Sequence, residues 1–206
     1  TRTVTPFGDL ATDISFFLQR VSGPPFDYVY GAGSASGSGD LNADGRQGND
    51  LIYVPRDARD PAEIRFNPSG TITAAQQADA FERYITSSKC LSAHRGEILG
   101  RNVCRNPTQT TIDLSLRQNL PLFGRQRASV QLDFFNVGNA INADFGKIRS
   151  AGGFNNVNIL SHVGQTAIDP KIADPIFTFN VNQREFTTGD VATNYWRAQM
   201  SFRYSF

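Results

Sequence analysis

The last twelve residues, Tyr195 to Phe206, read YWRAQMSFRYSF and alternate between two kinds of side chain. Trp196, Ala198, Met200, Phe202, Tyr204 and Phe206 fall on one face, and Tyr195, Arg197, Gln199, Ser201, Arg203 and Ser205 on the other. A period of two marks a strand, because successive side chains of a strand point to opposite faces. The same rhythm appears upstream. Ile112, Leu114, Leu116 and Leu120 oppose Asp113, Ser115, Arg117 and Asn119; after a turn over Pro121 to Gln126, Ala128, Val130, Leu132 and Phe134 oppose Arg127, Ser129, Gln131 and Asp133. This pair reads as a hairpin with one continuous apolar face. Near the start, a strand end over Thr1 to Thr5 and a turn at Pro6-Phe7-Gly8-Asp9 precede Ile14, Phe16 and Leu18, which alternate with Asp13, Ser15, Phe17 and Gln19. Phe26, Tyr28 and Tyr30 resume the same parity beyond Ser22-Gly23-Pro24-Pro25, so one long strand bent at the glycine and prolines is expected there.

Two stretches, about 31–107 and 139–193, lose this period. The first opens on the low-complexity run GAGSASGSG, Gly31 to Gly39. It also holds the one helix the spacing predicts, Thr73 to Thr86: Thr73 caps it, Gln76 sits three residues on, and Ala74, Ala78, Phe81 and Ile85 recur at helical intervals. In the second, Ile176, Thr178 and Asn180 alternate against Phe177 and Phe179, which predicts a further strand. Connections this long are uncommon in compact soluble domains but ordinary on the outer side of a membrane barrel, where the opposite turns are short. A strand with an apolar and aromatic face and a polar reverse also fits lipid on one side and a watery lumen on the other. The expected fold is therefore all-β: an antiparallel transmembrane β-barrel segment spanning 1–206, with long outer loops and one short helix. An amphipathic edge strand of a soluble sandwich is the competing reading.

Composition agrees with strands and loops. There are eighteen glycines, ten prolines and sixteen phenylalanines against one Met and one Trp. No run of eighteen apolar residues exists, which excludes a transmembrane helix but not a barrel, whose strands are only half apolar. A net charge of +1 gives no electrostatic case for nucleic acid. The amino-terminal TRTVTPFGDL has no basic-then-apolar leader, so a mature form or a piece of something longer is expected.

Four groups of residues carry candidate chemistry. Asp40, Asn42 and Asp44, with Gly45 behind them, repeat the D-x-N-x-D-G order of a calcium loop, in which oxygens at alternate positions wrap a hard cation. Arg46 would offer its backbone carbonyl, and Asp50 stands in for a bidentate glutamate one residue early; the competing reading is a solvated Asx/Gly turn. Cys90 and Cys104, fourteen apart, most simply form a disulfide in an oxidising compartment. Free thiols, or metal ligation together with His94, are the alternatives, although the spacings match no zinc pattern. Ser92, His94 and Glu97 lie close in sequence without a nucleophile elbow or oxyanion donor, so no enzymatic activity is expected. Arg117, Arg127, Asp133, Arg197 and Arg203 on the polar face are expected to pair across adjacent strands.

In order along the chain, DISFFLQRVSGPPFDYVYG, DLNADGRQGNDLIYVPRD, FERYI, HRGEILGRNVCRNP, IDLSLRQNL, LDFFNVGNAIN and FRYSF resemble the C-terminal part of TonB-dependent outer-membrane receptors. Within these the series is most similar to the Oar-like receptors with a carboxypeptidase-regulatory-like N-terminal domain. The resemblance covers nearly the whole chain from about Asp13. It implies the C-terminal strands of a 22-stranded barrel in the bacterial outer membrane. That barrel would surround a plug and import an unidentified substrate with energy from an inner-membrane coupling protein. It further implies that Phe202, Tyr204 and Phe206 form the signal read by the barrel-assembly machinery, with the terminus in the periplasm and both long excursions outside. Plug, energy-coupling box and most of the barrel have no counterpart here. A structural or adhesive outer-membrane protein, with calcium- and disulfide-stiffened loops binding a partner, is the second reading.

Overall fold

Five strands, Arg2–Phe7, Leu10–Val21, Gln109–Leu120, Arg127–Phe135 and Arg197–Ser205, pair side by side in that order, every pair antiparallel. The computed structural model describes residues 1–7, 10–32, 39–121, 126–152, 156–169 and 172–206. The turn expected at Pro6 to Asp9, the Gly31–Gly39 run and the Pro121–Gln126 turn lie in large part outside them. Register follows the alternation read from the sequence. Ile14, Leu116, Leu132 and Met200 stand in one cross-strand row, and Phe16, Leu114, Phe134 and Ala198 in the next. On the reverse, Asp13, Arg117, Gln131 and Ser201 form a row, as do Ser15, Ser115, Asp133 and Gln199. A shift of one residue would move every apolar group to the polar face, which is why the pattern holds the register. Val21, Gln109, Phe135 and Arg197 lie at one end of this sheet; Leu120, Arg127 and Ser205 lie at the other. The sheet is open, with edges at Arg2–Phe7 and Arg197–Ser205.

This sheet belongs to the first of two compact units, made of Thr1–Gly23, Pro107–Arg149 and Thr188–Phe206. The second unit is Pro24–Asn106 with Ser150–Thr187. The two excursions therefore supply most of one unit with its own core. Its main sheet runs Arg65–Phe66, Ile172–Phe179, Asn156–Asp169, Pro25–Ala32 and Cys104–Arg105. Asn156–Asp169 pairs antiparallel with Ile172–Phe179 but parallel with Pro25–Ala32, and Ile172–Phe179 runs parallel with Arg65–Phe66. The all-β reading stands, mostly antiparallel; the parallel pairs join segments far apart in sequence, where no hairpin sets the direction. The expected bent strand is two strands. Leu10–Val21 ends before Gly23 and Pro24, and Pro25–Ala32 pairs in the other sheet.

The predicted helix is present as Ala74–Ser87, and Thr73 and Gln76 form the reciprocal capping box. Its buried face is Gln77, Ala80, Phe81, Tyr84 and Ile85. Ala74 and Ala78 are only partly buried against the same core. Short helices at Lys89–Ala93 and Gly138–Ile141 were not expected. Phe81 packs 5.0 Å from Phe179 and 5.9 Å from Phe66, ring centre to ring centre, tying the helix to the sheet. The expected strand around Phe177 is Ile172–Phe179, with Phe177 and Phe179 buried. Gln77, buried within this apolar set, is fully engaged: its Nε2 donates to the Asn67 carbonyl (2.6 Å) and its Oε1 accepts from Phe179 N–H (2.8 Å). A buried amide left unpaired there would cost about 1–3 kcal/mol.

Candidate functional site

The two units bury their apolar residues in opposite ways. Phe26, Tyr28, Ile52, Val54, Phe81, Ile85, Leu91 and Leu160 of the second unit are at most 2% exposed. In the first unit, Ala128 is the one apolar side chain that is buried among the described residues. The aligned rows instead stand open: Phe16 is 61% exposed, Leu18 58%, Met200 75% and Phe202 66%. Aromatic side chains bracket the terminal strand, with Tyr195 and Trp196 at its start and Tyr204 and Phe206 at its end, all exposed. Trp196 and Tyr204 share a face eight residues apart, about 26 Å along a strand at roughly 3.3 Å per residue.

The polar reverse does not pair as expected. Arg117, Arg127, Asp133, Arg197 and Arg203 enter no ion pair among the described residues. Arg197 lies over the Phe135 ring, 5.5 Å from its centre, while Asp133 takes both its hydrogen bonds from Gln131 Nε2 (2.9 and 3.0 Å). Register does set one opposite-charge pair directly across neighbouring strands. Arg117 faces Asp13 and Gln131, and Asp13 is turned to the Thr3 hydroxyl at 2.6 Å.

At the end of the sheet where Phe135 and Arg197 lie, three asparagines hold the connections. Asn139 Nδ2 donates to the carbonyls of Ala143 (2.8 Å) and Phe145 (3.0 Å), and its Oδ1 accepts from Trp196 N–H (3.3 Å). Asn194 Oδ1 accepts from Ile148 N–H at 2.7 Å and its Nδ2 donates to Gly189 O at 2.5 Å. Asn136 has a φ of 50°, and a Cβ on Gly146 would lie 2.1 Å from its Oδ1. Position 146 therefore takes glycine alone, for contact as well as for its φ of 69°. Part of the signal lies in FNVGNAIN, where Asn and Gly interrupt the alternation; the excursion expected over 139–193 takes in Asn139 and Gly146 but neither Asn136 nor Asn194.

The Asp40–Asp50 loop is folded by its own carboxylates. Asp40 accepts from the N–H groups of Asp44 (3.1 Å) and Gly45 (2.9 Å), Asn42 Oδ1 from Asp44 N–H (2.9 Å), and Asp44 Oδ1 from Arg46 N–H (2.8 Å). The Arg46 N–H bond holds the Asp44 carboxyl below its ordinary range. Gly45 has the positive φ expected of it, 80°. Asp50, buried, accepts from Leu41 N–H (2.6 Å) and Asn42 N–H (3.1 Å). No group of three or more His, Cys, Asp or Glu side chains able to hold a metal ion is found among the described residues. Asn49 Oδ1, sealed from solvent, has no hydrogen-bond partner there.

Cys90 and Cys104 form the disulfide, with Cα atoms 5.5 Å apart. It ties the short helix Lys89–Ala93 to the edge strand Cys104–Arg105; closing a loop of this length is worth about 3 kcal/mol in the chain-entropy account. His94 is engaged with the Cys90 carbonyl through Nδ1 (2.8 Å), and Ser92 Oγ donates to the Lys89 carbonyl (3.3 Å). Ser92 and His94 thus make separate local bonds.

Inside the second unit, Tyr28 Oη lies 3.2 Å from Tyr84 Oη, and the Ser88 hydroxyl donates to Glu185 Oε1 beside them. Burial pushes the Tyr84 hydroxyl up to about 12 and that of Tyr28 far above its ordinary 10.0. The unfolded chain ionises both near 10, so above that pH it holds fewer protons than the folded chain. Stability of this unit should fall as pH rises from about 10 to 12, read from denaturant midpoints across that range, and Tyr28→Phe should flatten the fall.

Comparison with protein-family models gives no match, and neither curated proteins nor solved structures match the chain.

Proposed function

We propose that the chain is the C-terminal barrel part of an outer-membrane TonB-dependent receptor, importing its substrate with energy delivered from the inner membrane. The observation that carries this reading is the open apolar face of the first sheet. Four of its strands are nine to twelve residues long, matching the ~9–11 that a tilted strand needs to cross a bilayer. A face of Phe16, Leu18, Leu132, Met200 and Phe202 standing open demands an apolar medium, and lipid supplies one. Aromatic residues at both ends of the terminal strand suit the two membrane interfaces. The open edges at Arg2–Phe7 and Arg197–Ser205 are where the rest of the barrel would pair, since a spanning sheet must close to satisfy its backbone. In this reading the plug fills that barrel, an inner-membrane coupling protein engages it from the periplasm, and the two long excursions belong to the cell exterior.

Calcium at the Asp40–Asp50 loop belongs to the same proposal. The order of Asp40, Asn42 and Asp44 and the unfilled Asn49 Oδ1 favour it. Binding would require Asp50 to leave the N–H groups of Leu41 and Asn42. Adding calcium to chelator-treated protein should slow proteolysis between Gly39 and Val54, and Asp44→Asn should abolish that protection. Identical cleavage with and without the ion would return the loop to an Asx turn closed by its own N–H groups.

The assembly role of Phe202, Tyr204 and Phe206 gives the decisive experiment. Deleting Phe206 should block insertion in cells and leave periplasmic precursor, while barely altering the stability of protein refolded in detergent. The open outer edge of the terminal strand offers a row of backbone donors and acceptors for another sheet edge to engage. Normal insertion of the deletion variant would reduce Phe206 to an interfacial anchor.

A further inference from the structure

On the polar face of the first sheet, at the end where Leu120, Arg127 and Ser205 lie, a pocket of about 750 Å3 is lined by Arg117, Arg127 and Arg203 with Asn119, Ser129 and Ser205. The register explains how three arginines reach one place. Arg203 stands opposite Ser129, which stands opposite Asn119; Arg127 and Arg117 lie two residues away along their own strands on the same face, flanking that row from opposite sides, Arg117 level with Gln131 and Arg127 level with Ser205. Ser129, 6% exposed, leaves the floor between them low. Like charges on neighbouring strands repel. Yet among the described residues no carboxylate lines this pocket, and the side chains of the three arginines make no hydrogen bond or ion pair. The nearest acids by register are already engaged, Asp13 with Thr3 and Asp133 with Gln131.

We infer that this pocket binds a small polyanion, a ligand carrying phosphate groups or several carboxylates. Guanidinium groups present planar forks of N–H donors that match the oxygens of either group, and serine and asparagine side chains add neutral hydrogen bonds around them. An anion held there relieves the mutual repulsion of the three cations. The pocket depends on the registered strands and not on barrel closure, so its failure and that of the receptor reading are separable.

The test is calorimetric titration of the full chain in octyl glucoside, a neutral and phosphate-free detergent, at low salt. Pyrophosphate and tricarballylate are titrated separately. Saturable binding of either supports the inference and names the source, phosphate or carboxylate. Arg127→Gln with Arg203→Gln should weaken it at least tenfold, while the two lysine replacements, which keep charge but lose the fork, should weaken it less. Circular dichroism and an intact Cys90–Cys104 bridge check that each variant is folded. Binding of neither anion, or binding that the paired glutamine variant leaves unchanged, overturns the inference.

Discussion

Leu132→Arg should destabilise the folded protein by about 2–4 kcal/mol in a bilayer, while Gln131→Arg, one residue away, should cost much less. Leu132 stands between Leu116 and Met200 in the middle of the apolar face, so on the proposed membrane reading, if that row lies near the midplane, an arginine there would be held in hydrocarbon. Gln131 lies between Arg117 and Ser201 on the reverse, where water reaches a charged group. Denaturant titration of both variants in lipid vesicles measures the difference directly. Equal cost at the two positions would remove the case for lipid on one side of this sheet.

The second large effect belongs to the other unit. Phe81→Ala should cost about 3–5 kcal/mol, the range for deleting a buried aromatic ring from a packed core. Phe81 is 0% exposed and its ring meets both Phe66 and Phe179, so one truncation opens the junction of helix and sheet. The readout is the near-ultraviolet dichroism of the tyrosines and phenylalanines packed there, followed through denaturation. Phe81 belongs to the core of the second unit, so on the proposed membrane reading bilayer insertion of this variant should match that of the parent protein.

Alternation made the faces of Gln109–Leu120, Arg127–Phe135 and Arg197–Ser205 legible, because a residue's parity alone decides its side of a sheet. The capping box at Thr73 and Gln76 was legible for a similar reason: its bonds are local. Partners were not. Phe26, Tyr28 and Tyr30 keep the parity of Ile14, Phe16 and Leu18, yet one set is buried in a core and the other stands open. Parity names a face and says nothing about which sheet a strand joins. The unpaired arginines repeat the lesson: Arg117 stands directly across from Asp13, yet Asp13 is turned to the Thr3 hydroxyl, a choice of partner that parity does not report. At the Asp40–Asp50 loop, spacing located the oxygens, but the N–H groups that now occupy Asp50 come from backbone geometry that no spacing reports.

The chain passes between its two units at four points, near Gly23, Asn106, Arg149 and Thr187. Neither unit can be finished in order of synthesis. Leu10–Val21 waits for Gln109–Leu120 before it gains its second neighbour, and Pro25–Ala32 waits for Asn156–Asp169. Contacts this distant in sequence close large loops before they return any stabilisation, which slows folding. Until residue 156 has arrived, the Pro25–Ala32 strand that carries Phe26 and Tyr28 lacks its long parallel neighbour. A nascent chain of this design holds apolar strands without their partners for most of its synthesis, so neither unit can complete its sheet before the later segments are made.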